Sequence, residues 1–395
     1  MKIGSYRFDR VEFAGSLGDF GTLIPLSIAL VTINGLSFTS VFLLVGLFYV
    51  ATGLYYGLPI PVQPLKVVSA IAIAFPEKIS LAVMSATGLL FGAILISLAF
   101  SGLIDTLARL FTKPVVRGIQ LGLGFILIMK GIALIRDPAL LLQGKGIVAL
   151  PGGLPVNLLV GLGASVLVLL LISSRRFPAA LVVVASGIAI GIAFGSLRGM
   201  EWGVGPTAME YFAPGMNDYL TALFLLVIPQ IPLTLGNAII GTTDTARSLF
   251  GTGEETNRVS NRSFSLGMGL ANMLVGFMAA MPICHGAGGL AAHHRFGART
   301  GGSNVMIGLL LIVVALGFGR VGVSLVSSIP NAVLGVLLLF AGLELALLVR
   351  DIRERRDFFI AFMIAGIGLA TTNMSIAFAF GIIVSRLLSW RRIEI

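Results

Sequence analysis

Apolar stretches follow one another along nearly the whole chain, broken by short polar joints: 12–33, 37–57, 62–75, 80–102, 114–135, 153–173, 178–197, 219–241, 263–282, 286–297, 303–319, 326–348, 357–372 and 374–389. Most approach the ~20 residues a helix needs to cross hydrocarbon. The pattern therefore predicts an all-α integral membrane protein of fourteen transmembrane segments. The third and tenth stretches are too short to span. Each follows a proline-containing run, Pro59-Ile60-Pro61-Val62-Gln63-Pro64 and Met281-Pro282-Ile283-Cys284-His285-Gly286. Pro59, Pro61 and Pro64 remove backbone donors, so an ordinary helix cannot begin there. Gly286, Gly288 and Gly289 allow irregular backbone at the second place. A short extended stretch followed by a half-helix is predicted in both.

The two short segments lie seven apart in the order, so halves of seven segments would have opposite orientations. Ile24-Pro25-Leu26 in segment 1 recurs as Ile231-Pro232-Leu233 in segment 8, and Pro114 and Pro330 lie near the starts of segments 5 and 12. A 7+7 inverted repeat is expected, with residues 1–198 and 217–395 as its halves, a plan used by secondary transporters. No polar stretch is long enough for a separate soluble domain, so 1–395 reads as one membrane transport domain.

Composition agrees. Of 395 residues 57% are hydrophobic and only 11% charged, with 50 glycines. That excludes a soluble enzyme, a disordered tail and a nucleic-acid binder. The net charge of +10 invites an anionic partner until the basic residues are placed on the topology. With the amino terminus cytoplasmic, 20 of the 27 lysines and arginines fall on the cytoplasmic side, six fall outside, and Lys66 lies within a segment. The charge is thus chiefly a topology signal, with both termini cytoplasmic in a cell (plasma or inner) membrane. The single cysteine, Cys284, permits no intrachain disulfide. The three histidines, all between 285 and 294, have no metal-ligand spacing, so neither a metal nor a cofactor is expected. No catalytic cluster stands out, and no enzyme is expected.

The chemistry is expected at the two broken segments. Each leaves a helix amino end near the bilayer midplane, where free N–H groups and the positive dipole end bind anions. Lys66 lies in the first turn of the first half-helix and either faces the ligand, snorkels, or pairs with a carboxylate. His285, just before the second, is either a ligand group or a structural hydrogen-bonding residue. His293 and His294 are expected to be solvated at the cytoplasmic end. Asp19, inside segment 1, is either a proton-coupling group or the counter-ion of Lys66. Glu344 is a second intramembrane acid. Gln230, Thr234 and Asn237 on segment 8 either line the cavity or join helices. Asp244 and Arg247 are expected to form a local ion pair.

Three motifs carry a family resemblance. They are Gly15-Ser16-Leu17-Gly18-Asp19-Phe20-Gly21-Thr22, Pro61-Val62-Gln63-Pro64-Leu65-Lys66, and Pro282-Ile283-Cys284-His285-Gly286-Ala287-Gly288-Gly289-Leu290-Ala291 with Arg295-Phe296-Gly297-Ala298-Arg299. Together they resemble the molybdate-transporter branch of the sulfate permease superfamily over essentially the full chain. The resemblance implies a uracil-permease-like fold with a core and a gate domain. It implies an oxyanion, molybdate or sulfate, held between the half-helix amino ends by Gln63, Lys66, His285, Gly286, Ala287 and Gly288, with Thr22, Gln230 and Asn237 completing the pocket and Asp19 beside it. It further implies a homodimer. A secondary active transporter working by alternating access is expected, coupled to protons because importing a dianion against an inside-negative potential is costly. The chain stops at Ile395 with no cytoplasmic STAS domain after the last span, which favours the molybdate branch. Two other functions remain open: a same-fold carrier of a nucleobase or other organic anion, and a passive anion channel.

Overall fold

The computed structural model describes residues 2–3, 5–108, 111–142, 153–172, 174, 178–196 and 203–391. Of the basic residues assigned to a side of the membrane, Arg109, Lys145, Arg175, Arg176, Arg198 and Arg392 lie outside these, as do the half boundary at 198 and the end at Ile395.

A helix overlaps each of the fourteen apolar stretches. Helix α1 (Arg10–Ser16) and α2 (Phe20–Asn34) form a pair bent by 52°. Then come α3 (Phe38–Tyr56), strand β1 (Gln63–Pro64), α4 (Lys66–Ala74), α5 (Leu81–Ser101), α6 (Lys113–Arg136), α7 (Val156–Leu171) and α8 (Ala179–Ala193). The second half runs through α9 (Met216–Phe250), α10 (Asn261–Phe277), β2 (Ile283–Cys284), α11 (Ala287–Phe296), α12 (Gly302–Ser327), α13 (Asn331–Ala346), α14 (Arg355–Thr371) and α15 (Met374–Arg391). Among the described residues six helices are long and apolar enough to cross a membrane, or seven if the bent pair is one span.

The helices pack in two groups. In the first, α3 lies on α12, α5 on α10, and α1 on α11 and α12; in the second, α6 lies on α13 and α14, and α14 on α15. Helices α2 and α4 border the second group, α2 against α8 and α13 and α4 against α6. Glycines line the seams, and this accounts for part of their surplus. A methyl group at Gly46 or Gly53 would sit 2.7 Å from the carbonyl oxygen of Gly308 or Gly301, across the α3/α12 seam. A methyl group at Gly92 would sit 2.8 Å from the Gly269 carbonyl oxygen across α5/α10, and one at Gly124 2.6 Å from that of Gly342 across α6/α13. Small residues bring backbones together where lipid supplies no hydrophobic drive between helices.

Helix α9 is one 35-residue element containing two π-helical turns, Ala222–Val227 and Thr234–Gly241. Pro229 and Pro232 lie between them, where missing N–H groups disturb the regular ladder. Arg247 does not pair with Asp244 as expected; its guanidinium donates to the Val259 carbonyl at 3.4 Å.

Candidate functional site

The two extended stretches meet. Strands β1 and β2 pair antiparallel, with Gln63 opposite Cys284 and Pro64 opposite Ile283, and Leu65 N–H donates to the Pro282 carbonyl at 2.8 Å. Being antiparallel, they send α4 and α11 away in opposite directions. The amino ends of both short helices therefore lie beside one small ladder inside the protein.

Backbone at this depth needs internal partners. Four consecutive carbonyls before β1 each have one. His293 Nδ1 lies 3.0 Å from the Pro59 oxygen, and Asn304 Nδ2 donates to the Ile60 oxygen at 2.6 Å. His285 Nδ1 lies 2.8 Å from the Pro61 oxygen, and the Tyr49 hydroxyl donates to the Val62 oxygen at 3.3 Å. A carbonyl only accepts, so both histidines carry their proton on Nδ1. On the other strand the Asn272 side chain pairs with both the N–H and the carbonyl of Ile283, at 3.0 and 2.7 Å.

This changes the place of two histidines. His285 is fully buried, stacked on Phe48 and edged by Tyr56 and Phe264. Its Nδ1 on Pro61 ties β2 to the extended stretch before β1. His293 is likewise fully buried, where solvation was expected, because the Pro59 carbonyl needs its donor. The sequence reading missed Tyr49, Asn272 and Asn304 altogether. Their signal was a strongly polar group inside an apolar stretch.

Around the ladder, the break between α1 and α2 lies against the start of α11, and α9 lies against the start of α4. Asp19 sits in the break between α1 and α2, and Gln63 Nε2 donates to both its oxygens, at 2.8 and 2.7 Å. The pair lies against the start of α11: a methyl group at Gly289 would meet Asp19 Oδ2 at 2.7 Å and Gln63 Nε2 at 2.6 Å. One at Gly286 would collide with Gln63 Oε1. On the other side Gln230 Oε1 accepts from Val67 N–H at 2.9 Å, capping the start of α4, while Gln230 Nε2 donates to the Thr234 hydroxyl at 3.0 Å. Thr22, half-buried in the first turn of α2, donates its backbone N–H to the Asp19 carbonyl at 3.0 Å.

Lys66, the first residue of α4, is partly exposed, and no carboxylate lies within ion-pair distance of it among the described residues. The Gln63 amide, not Lys66, thus holds Asp19, although Lys66 and Glu344 are both close enough to act on it electrostatically. Glu344 itself is exposed near the end of α13. Gly288 is exposed with open space where a side chain would be, and Ala287 is half-buried 3.4 Å from a methyl placed at Gly241. Asn237 is half-buried on the same π turn as Gly241, and its side chain bonds neither half-helix. The structure thus brings Asp19, Thr22, Gln63, Gln230, Gly286 and Gly289 together, with Lys66, Ala287 and Gly288 at the more open side. A group of three or more metal-binding side chains is absent among the described residues.

A family model described as "Molybdate transporter of MFS superfamily" matches residues 11–127 and 222–345. Molybdate transporter 2 of Arabidopsis thaliana is 30% identical over 97% of this chain and 88% of its own length. Molybdate transporter 1 of Chlamydomonas reinhardtii is 29% identical over 94% of this chain and 90% of its own. Among solved structures, the chain is similar to the transmembrane domain of a cyanobacterium bicarbonate transporter, BicA, with TM-score 0.68 and 19% identity over 94% of this chain and 97% of that one. It is similar also to the murine Solute Carrier 26 family member A9 anion transporter, with TM-score 0.70 and 17% identity over the whole of this chain and 70% of that one.

Proposed function

Since the chain belongs to the molybdate transporter family, a family of transporters and not of enzymes, we propose that it is a secondary active transporter of a tetrahedral oxyanion, molybdate first and sulfate second. The observation that carries this reading is the convergence of the amino ends of two short helices on one ladder, with Lys66, which has no ion-pair partner among the described residues, at its open side. The first N–H groups of a helix have no partner within it, and two such ends with an ammonium suit a dianion. Ala287 and Gly288 would offer backbone N–H groups. Gln63, Gln230 and Thr22 would offer side-chain groups, with Asn237 at the edge. His285 would act by holding the extended stretch.

In this reading fourteen segments form a 7+7 inverted repeat with halves 1–198 and 217–395. The seams support it. Segment 2 packs on 11 and segment 4 on 9, a pairing that exchange of the halves leaves unchanged. The first packing group would be the core and the second the gate. Rigid movement of one against the other would expose the site alternately. Both termini would be cytoplasmic, in the plasma or inner membrane, and the protein would be a homodimer.

Protons are the proposed coupling ion. Importing a dianion against an inside-negative potential costs about 2.3 kcal/mol per charge per 100 mV. Asp19, a carboxylate at the anion site, would repel the substrate unless protonated. A nucleobase carrier is disfavoured because the middle of α9 and the start of α11 bring Gln230 and Asn237 and no acid of their own, the carboxylate of Asp19 coming from the break between α1 and α2.

Labelled molybdate uptake into proteoliposomes, with and without an inward proton gradient, tests the function. Accumulation driven by the gradient and competed by sulfate is expected. Uptake of uracil in its place would contradict it, and conductance under voltage clamp would mark a channel.

A further inference from the structure

We propose that Gln63 is the residue through which protonation of Asp19 controls anion binding, by turning its amide end for end. The inference rests on the proton-coupled reading above and adds the group that transmits the proton's effect.

An ionised carboxylate only accepts hydrogen bonds, so it fixes the NH2 end of Gln63 on itself, as observed at 2.8 and 2.7 Å. The oxygen end is then forced the other way. Gln63 Oε1 lies against Gly286, at the start of α11, buried and with no hydrogen-bond partner. A buried polar atom left unpaired is costly. Here the orphan is an acceptor standing at the helix end where an oxyanion would bind, so it turns lone pairs toward an incoming anion.

A protonated Asp19 has an O–H that needs an acceptor. The Gln63 side chain already touches both carboxyl oxygens. Rotation of its terminal torsion, which is broad and roughly two-fold, puts Oε1 on that O–H and swings Nε2 beside Gly286. The orphan acceptor becomes partnered, and the start of α11 gains an N–H donor. Glycine at 286 and 289 leaves the side chain its space, since a Cβ at either would press on the amide. The titratable groups within electrostatic reach of Asp19 are Lys66 from α4, Glu344 from α13, Tyr49 from α3 and Cys284 from β2. None of them bridges the carboxyl and the anion position as Gln63 does.

The test is molybdate affinity of the purified full chain in lipid nanodiscs, from mildly acidic to mildly alkaline buffer. Wild type is expected to tighten as pH falls, by up to about tenfold per pH unit for one linked proton. Asp19→Asn should bind tightly at every pH, because its amide donates to Gln63 as the protonated acid would. Gln63→Met, of similar length, should bind weakly at every pH, and Asp19→Asn should give no gain when combined with it. Gln63→Asn, which withdraws the amide from Asp19, should lose the pH dependence too and serves if the methionine variant fails to fold. Unchanged pH dependence in the Gln63 variants would overturn the switch while leaving proton coupling standing. A wild type whose affinity ignores pH would overturn both.

Discussion

Gln230 accepts the backbone N–H of Val67 at 2.9 Å, so the middle of α9 caps the amino end of α4, 163 residues earlier in the chain. The two π turns and two prolines of α9 flank that glutamine. Gln230→Glu keeps an acceptor for Val67 but adds negative charge beside the proposed anion site. Molybdate affinity should fall by about tenfold or more, on the order of one close charge pair partly screened. Equilibrium binding on folded protein measures it, and unchanged affinity would remove α9 from the site.

The glycines at the start of α11 should not behave alike. Gly286→Ala and Gly289→Ala drive a methyl into Gln63, and at 289 into Asp19 as well, whereas Gly288 has open space around it. The first two should reduce uptake severely and lower the melting temperature, with overpacking costs of about 1–3 kcal/mol. Gly288→Ala should fold normally. Thermal unfolding in detergent separates the three.

The donors on the extended stretch should act through stability. His293→Phe retains a ring near Tyr49 and leaves the Pro59 carbonyl unpaired; Asn304→Leu does the same to Ile60. Each should cost about 1–3 kcal/mol, the penalty for a buried group left without a partner. Measured stability equal to wild type would show that these carbonyls find other partners.

Lys66→Gln should weaken molybdate binding by about tenfold or more while leaving the fold intact, since its ammonium has no ion-pair partner within the described residues to lose. Side-by-side titration with molybdate and sulfate checks it, and both anions should suffer alike.

The places of β1, α4, β2 and α11 were legible because proline and glycine act locally: Pro59, Pro61 and Pro64 forbid helix wherever they stand. Lys66 was legible for a similar reason, as a charge in an apolar stretch. The partner of Asp19 was not. Whether an acid in segment 1 meets the lysine or the glutamine of segment 3 depends on how α2 and α4 pack, and sequence spacing says nothing of that. His293 misled for the converse reason. Its partner, like that of His285, is a main-chain carbonyl left free by extended proline-rich backbone, and a carbonyl has no letter in the sequence. Glu12 is another such case: it is buried at the start of segment 1 and accepts from the backbone of Arg299 and Thr300 at 3.0 and 3.1 Å, tying α1 to the loop after α11.

Anomalous diffraction at the molybdenum edge from crystals grown with molybdate locates the oxyanion directly. The expected result is one anomalous peak beside the ladder, within hydrogen-bond reach of the Gly288 backbone N–H and near the Lys66 ammonium. A peak at another place in transport-competent protein, with the two helix ends still covered by Asp19 and Gln230, would contradict it.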